Sequence, residues 1–434
     1  VFKCAENIED LYGPYIIRGR SIDLVWKTYV SKIIEHGLSV TTEDKQQETR
    51  ETLCCISHLT DWKSGRIVPR NYVGLSPEVI RTQYLPQYLS GEKGDHTYTY
   101  GWCVRKRFGF DQTKFAVEHL KTSRTAFAQL WNPIEDLNSA NPPCVDIALY
   151  YNDFSAKKLH MIAYIRSNDM GRAHSDDVAG LYETFLRYDG AFNLYGAQKA
   201  AGTLTTVSGS AHIYDTSIPE LQENLAGSST LANENEPLNT TTLPGPILFH
   251  SKNYQSFLSE LEIKFKKYSR ENNNSFDLFF TVRFDELDSS DFDSSQTIEK
   301  LNENIKDSTF EDAIRNYQGI TDKGNTSSID QIEYITKKLR NAPQSRRMII
   351  TPNSPFRKIY SLNPIVVQFL YRLERLYTVV LFSNYSLADI HKAVIMVKNL
   401  QNEVLKGTEI AAGPIVFLFM PGTNKTKNLS FLTH

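Results

Sequence analysis

The chemistry in this 434-residue chain gathers around Cys144, which follows Pro142-Pro143 and opens an alternating apolar run of Val145, Ile147 and Leu149. A cysteine attacks as a thiolate, so a nucleophilic role calls for nearby cations that lower its pKa. Taken alone, Cys144 reads more readily as a small buried core residue. Arginines supply the second chemistry. Arg166-Ser167 lies in the first half of the chain and Arg346-Arg347 in the second. A guanidinium fork matches phosphate oxygens in paired hydrogen bonds, so these residues are candidates for holding a doubly charged phosphate. Without context, Arg346-Arg347 reads as a solvated basic pair after a turn. His212 and Tyr214 are two apart, which puts both on one side of an extended segment.

The residues around Cys144 form an ordered set that recurs in weakened form. The first copy runs Asp111-Gln112, Ser123-Arg124, Pro142-Pro143-Cys144, Arg166-Ser167-Asn168-Asp169, Ala200-Ala201-Gly202 and His212-Ile213-Tyr214. The second runs Asp330-Gln331, Ser345-Arg346-Arg347, Pro364-Ile365, Phe382-Ser383-Asn384 and Ala411-Ala412-Gly413. In this alignment Ile365 stands for the cysteine, Phe382 for Arg166, and Thr423 and Lys425 for the His-x-Tyr pair. A repeat this long is a duplicated domain, not a solenoid unit. The losses are complementary, because the second copy keeps an arginine pair where the first has Arg124-Thr125. One working site assembled from both halves is the expectation.

Pro-Cys, then Arg-Ser-x-Asp, then His-x-Tyr resembles the thymidylate synthase and pyrimidine-nucleotide hydroxymethylase superfamily. Tyr98-Thr99-Tyr100-Gly101 and Leu130-Trp131-Asn132-Pro133 fit the same pattern. The resemblance covers roughly residues 20–216 strongly and 310–425 weakly. It implies an α+β fold of two thymidylate-synthase-like α/β domains packed through their sheets as an intrachain pseudo-dimer. It implies a one-carbon transferase in which Cys144 adds to C6 of a pyrimidine, making C5 carbanion-like and able to attack a one-carbon unit. That unit comes from 5,10-methylenetetrahydrofolate as cosubstrate. Tyr100 assists proton removal from C5. Arg166, Ser167, Arg346, Arg347 and, more loosely, Arg50 hold the phosphate, with the second-half pair reaching the site of the first. His212 and Tyr214 bind the sugar hydroxyl, Asp169 contacts the pterin, and Trp102 is a folate-side aromatic.

Asp177 lies eleven residues after Arg166, where the resemblance places an asparagine in thymidylate synthases and an aspartate in members acting on cytosine nucleotides. Hydrogen-bond chemistry agrees, since a carboxylate can accept from the N4 amino group of cytosine and has no proton for O4 of uracil. The alternatives are that Asp176-Asp177 caps the following helix, or that Asp176 takes the base-reading role. The expected reaction is C5 hydroxymethylation of CMP or dCMP. Its rivals are C5 methylation of dUMP or dCMP and a non-catalytic nucleotide- or partner-binding protein. Departures from the family pattern are Val145 for a histidine and Ile165 for a glutamine. Glu51, Glu78 and Glu92 compete for a proton-network glutamate. No closing tail is evident after the first copy, which favours water capture and a hydroxymethyl product.

The elements that must position these groups follow from periodicity. Ile22, Val25, Trp26, Tyr29, Val30, Ile33 and Ile34 share one helical face between Ser21 and Gly37. Helices are expected at 111–121, after the Asp169 loop through Val178 to Leu186, at 330–339 and from Ile390 to Val404. Strands are expected after Cys144, before Arg166, and near 347–351, 365–370 and 376–382. The polar stretch 224–246 reads as a linker between a catalytic domain, 1–223, and a degenerate one, 247–434. Asp285 to Ser295 reads as a surface loop. Apolar content of 41% and charged content of 23% fit a globular chain, and a net charge of −2 gives no global field for nucleic acid or anionic membrane. Five irregularly spaced cysteines, with no secretory or membrane-spanning run, point to a reducing, cytoplasmic setting. No metal-ligand spacing is visible, so no metal is expected. The expected partners are a pyrimidine nucleoside 5′-monophosphate and a reduced folate, the chain working as a monomeric pseudo-dimer.

Overall fold

A computed structural model describes residues 12–43, 46–60, 62, 67–226, 246–250, 254, 256–261, 263, 279–285, 287, 308–352, 364–382 and 387–419. The chain divides into two compact units, residues 1–242 with 320–325, and residues 243–319 with 326–434. Thr423, Lys425, Ser383 and Asn384 lie outside the described residues, as do Cys4 and most of 224–246 and 285–295. The helix Ile218–Ala226 runs into the first three positions of the expected linker.

The first unit begins with strand β1, Tyr15–Gly19, and the amphipathic helix Ile22–His36. The Ser21 side chain accepts from Leu24 N at its start, and Gly37 follows its end. Val25, Trp26, Tyr29, Val30 and Ile33 are fully buried, while Ile34 packs at the margin of the core. Trp26 Nε1 donates to Met170 O at 2.8 Å, which ties this helix to the loop after Asp169. The sheet comprises β1, β2 (Leu38–Thr41), β3 (Glu48–Leu59), β4 (Thr125–Gln129), β5 (Val145–Asp153), β6 (Lys158–Asp169) and β7 (Ala201–Tyr214). Its order is β1-β3-β7-β6-β5-β4, with β2 on β3. Buried Arg107 anchors the turn of residues 320–325, pairing with Asp136 at 2.7 Å and with Asp322 at 3.1 Å.

The second unit holds β8 (Ile247–His250), β9 (Phe280–Phe284), the hairpin β10 (Tyr317–Ile320) and β11 (Thr326–Ile329), β12 (Ile349–Ile350), β13 (Pro364–Arg372), β14 (Arg375–Phe382) and β15 (Ala411–Phe419). Its main sheet runs β12-β13-β14-β15-β9-β8. Read in that direction the pairings are antiparallel, antiparallel, parallel, antiparallel, parallel. The path β4-β5-β6-β7-β3-β1 shows the same succession. The helices agree too. Asp111 and Asp330 each accept from the backbone N–H groups two and three residues on. Gln112 and Gln331 each bracket one residue with two amide bonds, Gln129 at the end of β4 and Thr351 just after β12.

The strand register corrects the sequence alignment, by two positions at Ile365 and by one at Phe382. Each first hairpin carries a bulge, at Asp146 in β5 and at Ile365 in β13. The row before the bulge reads Val145, Ile165, Ser208, Cys55 in one sheet and Pro364, Phe382, Phe419, Phe280 in the other. Ile365 therefore corresponds to Asp146, not to Cys144, and Phe382 to Ile165, not to Arg166. Both hairpins bulge at the same place but differ in their turns, which close Asp153 on Lys158 in one and Arg372 on Arg375 in the other, so motif order alone could not fix the register.

Candidate active site

Cys144 stands immediately before β5, half-buried, at the edge of the bulge. Arg166, near the end of β6, donates from its backbone to Cys144 O at 3.0 Å. Its Nε donates to Pro143 O at 2.9 Å and its Nη2 to Pro142 O at 3.0 Å. Those bonds hold Nη2 at 4.0 Å from Cys144 Sγ, with the guanidinium 5.5 Å from the Trp131 ring centre. The two prolines thus act through their carbonyls, which fix a buried cation beside the thiol. The fully buried Asp146 carboxyl, its pKa pushed well up by burial, lies 4.0 Å from Arg166 Nε.

The expectation of a lowered thiol pKa is reversed in sign. Burial pushes Cys144 up, Arg166 is the largest influence in the other direction, and Asp177, Asp146 and Asp169 add to the rise. Without a ligand the group is a neutral thiol, and the guanidinium limits the cost of ionising it.

Four tyrosines gather around Asp177, two of them also within electrostatic reach of Cys144. Tyr84 and Tyr88 come from a helical run made of Pro77–Val79, the widened turn Ile80–Tyr84, and Leu85–Leu89. Tyr98 precedes the short helix Tyr100–Arg105, whose start is capped by Thr99. The Tyr88 and Tyr100 rings are 5.1 Å apart and those of Tyr98 and Tyr100 5.5 Å. Burial pushes all four phenols well up, so they act as neutral donors.

Asp177 sits in the helix His174–Gly180 and does not cap it, because the cap position is Ala173 with no side-chain bond. Its Oδ1 accepts from Tyr84 at 2.6 Å and from Tyr88 at 3.2 Å. Burial raises its pKa to about 6, against the pull of both phenols. Asp176 is pushed to about 8, first by burial and then by Asp177. Gly180 is required here, since a Cβ would fall 2.3 Å from the Tyr88 ring.

The remaining residues divide between β6, β7 and β3. Ser167 and Asp169 sit on β6 beside Ser210 and His212 of β7. Asp169 Oδ1 accepts from Gly171 N at 3.0 Å and Arg172 N at 3.2 Å, which shapes the loop. His212 is buried, with its ring edge-on to half-buried Tyr214 at 5.4 Å. Arg50 lies across from Ile213 and is 3.7 Å from Asp215. Glu51 is buried opposite His212 and accepts from the Ser210 hydroxyl. Glu78 and Glu92 are exposed, and Glu92 pairs with Lys106. Trp102 is flanked by Lys93 at 4.8 Å and Arg107 at 5.3 Å from its ring centre. Arg346 and Arg347 belong to the second unit, half-buried, with Arg346 O bonded by Gln368 and Arg347 N by Ser345 Oγ.

Sequence reasoning missed Tyr84, Tyr88 and Asp146 as members of this cluster. The i,i+4 tyrosines look like core aromatics, and their partner Asp177 is 93 and 89 residues away.

The family described as "Thymidylate synthase" matches residues 78–241. The "Putative thymidylate synthase" of Methanopyrus kandleri is 31% identical over 212 residues, covering 48% of this chain and 97% of that protein. The one of Methanosarcina barkeri is 31% identical over 210 residues, 46% and 89% of the two chains. The "Bifunctional dihydrofolate reductase-thymidylate synthase" of Leishmania major is 30% identical over 120 residues, 27% of this chain and 22% of that one.

Proposed function

Since the chain belongs to the thymidylate synthase family, we propose that its first unit transfers a one-carbon unit to C5 of a pyrimidine nucleoside monophosphate through a Cys144 adduct. It is a one-carbon transferase. The observation that carries the mechanism is a half-buried thiol 4.0 Å from a guanidinium that two carbonyls hold in place. Arg166 stabilises the developing thiolate as Cys144 Sγ adds to C6, and shares its charge with the nucleotide phosphate beside Ser167. Tyr100, a neutral phenol, takes up a proton from C5 only as its own passes to the Tyr98 hydroxyl, which releases its proton to water. His212 and Tyr214 hold the sugar.

A reduced folate supplies the one-carbon unit and, for a methyl product, the hydride. Asp169 fits it, as a half-buried carboxyl in a loop fixed by Gly171 and Arg172, chemistry suited to pterin N–H donors. In this proposal Trp102, whose ring is flanked by Lys93 and Arg107, is a folate-side aromatic.

The names of the relatives favour thymidylate-synthase-type C5 methylation. A second reading, C5 hydroxymethylation of CMP or dCMP, is favoured by the carboxyl at position 177 and its two phenol partners. We further propose that the second unit, 247–434, is a degenerate duplicate joined through 224–246 to a catalytic domain at 1–223. In this proposal the two pack sheet to sheet as an intrachain pseudo-dimer, and Arg346, Arg347 and Arg50 complete the phosphate site. The shared strand succession and paired glutamine brackets support duplication. Incubation with CMP, dCMP, UMP and dUMP plus methylenetetrahydrofolate, followed by mass analysis, tests the reaction. A methyl product with dihydrofolate supports the first reading, a hydroxymethyl product with tetrahydrofolate the second, and no product with any nucleotide refutes both.

A further inference from the structure

Asp177 is held asymmetrically. Both phenol bonds fall on Oδ1, from Tyr84 at 2.6 Å and Tyr88 at 3.2 Å, while Oδ2 accepts no hydrogen bond among the described residues. Tyr84 and Tyr88 are one helical turn apart and so share a face. Their rings lie 5.4 Å apart, and Tyr88 is wedged against Gly180, one turn along the helix that carries Asp177. The carboxyl therefore has little freedom to exchange its two oxygens.

We propose that Tyr84 and Tyr88 are the specificity-determining pair of this site, because by occupying Oδ1 they leave Asp177 a single oxygen, Oδ2, with which to read the base. This deepens the base-reading role given to Asp177 above and rests on it. A single oxygen cannot imitate an amide, which offers a donor and an acceptor together. Facing position 4 of the pyrimidine, an ionised Oδ2 accepts from the cytosine amino group and repels uracil O4. A protonated Oδ2 donates to uracil O4 and has nothing to offer the amino group. The base preferred is then set by the charge on Asp177, and the two phenol donors favour the charged form.

The groups facing Asp177 are Tyr84 and Tyr88 from their helix, Tyr72, Tyr98 and Tyr100 from the neighbouring segments, and Cys144 from the start of β5. Asp169 faces it from the end of β6, and Asp176 adjoins it in its own helix. The phenols stay neutral. Burial pushes Asp176 to about 8 and lifts Cys144 from its ordinary value, which leaves Asp177, raised to about 6, as the facing group that ionises first as pH rises.

The test is the affinity of the full chain for dCMP and dUMP between about pH 5 and 9, with CMP and UMP in parallel, for the wild type and for Tyr84→Phe, Tyr88→Phe and Asp177→Asn. The wild type should turn from uracil toward cytosine preference as pH rises. In Tyr84→Phe the turning point should move up by about one pH unit, and the cytosine-to-uracil ratio at neutral pH should fall about tenfold. Tyr88→Phe, which loses the longer bond, should move it less in the same direction and serves alone if Tyr84→Phe melts early. Asp177→Asn should remove the turning point. If Asp177→Asn leaves the preference as in the wild type, the base-reading role fails and this inference with it. If Asp177→Asn changes the preference but both phenylalanine variants keep the wild-type turning point, the base-reading role stands and the clamp is refuted. Equal weakening of both bases at an unmoved turning point would mark the tyrosines as structural and also refute it.

Discussion

The same row of the two sheets is built in opposite ways. In the second unit it reads Phe382, Phe419, Phe280, with Phe280 and Phe419 stacked at 4.8 Å and Phe382 and Phe419 at 5.4 Å. In the first it reads Ile165, Ser208, Cys55. Ser208 accepts from Asn168 at 2.8 Å, Asn168 meets His174 Nδ1 at 2.9 Å, and His174 starts the helix that carries Asp177. Burial drives the His174 pKa down to about 4, so it serves as a neutral partner. Aromatic filling maximises buried area, whereas a chain of buried polar groups gives up packing for a defined orientation. One row is built for cohesion, and the other carries a buried polar chain that leads to the helix of Asp177.

The contrast breaks most sharply at the nucleophile. Cys144→Ala should lower turnover by about 10⁴-fold or more while nucleotide affinity measured by calorimetry stays within a few-fold. Retained turnover would remove the thiol from the mechanism. In the second unit Phe419→Ala should cost about 3–5 kcal/mol of stability in urea unfolding, from lost burial and a cavity in the aromatic stack. Ser208→Ala should cost clearly less. Equal costs would mean that the two rows are not packed as differently as they look.

A smaller effect is expected at the phosphate. Arg346→Ala or Arg347→Ala should weaken nucleotide binding by roughly ten- to a hundredfold, the loss of a charge-assisted hydrogen bond, and Arg124→Ala by much less. A larger effect at Arg124 would overturn the proposed division of labour between the two units. The mildest test is pH. Because burial raises the Cys144 thiol, alkylation of the free protein should accelerate only at a pH above that of an ordinary cysteine. Arg166→Gln should push that midpoint further up. A midpoint below the usual thiol range would contradict the burial account.

Much of this was legible in the sequence. Helical periodicity located Ile22–His36 because its apolar face lies on one continuous core, and Asp111 and Asp330 announced their helices because capping is local chemistry. The Pro-Cys and Arg-Ser-x-Asp motifs located Cys144 and Arg166 as neighbours across a hairpin. Three things were not legible. The first hairpins share a bulge but close through turns of different length, which moves the comparison of the copies by two residues at Ile365 and by one at Phe382. The Tyr84–Asp177 bond joins segments far apart in sequence, and nothing in an i,i+4 tyrosine pair tells a clamp from a core. The net direction of the thiol pKa depends on how deeply Arg166 and Cys144 are buried together, a property of the folded site and not of residue types.

The central claim is that Cys144 activates C5 of a pyrimidine nucleotide in the first unit. Release of tritium from nucleotide labelled at C5, in the presence of methylenetetrahydrofolate, tests it most directly. The wild type should release tritium with at least one of dUMP, UMP, dCMP and CMP, and Cys144→Ala should release none. Wild-type release that survives in Cys144→Ala, or no release with any of the four, would contradict it.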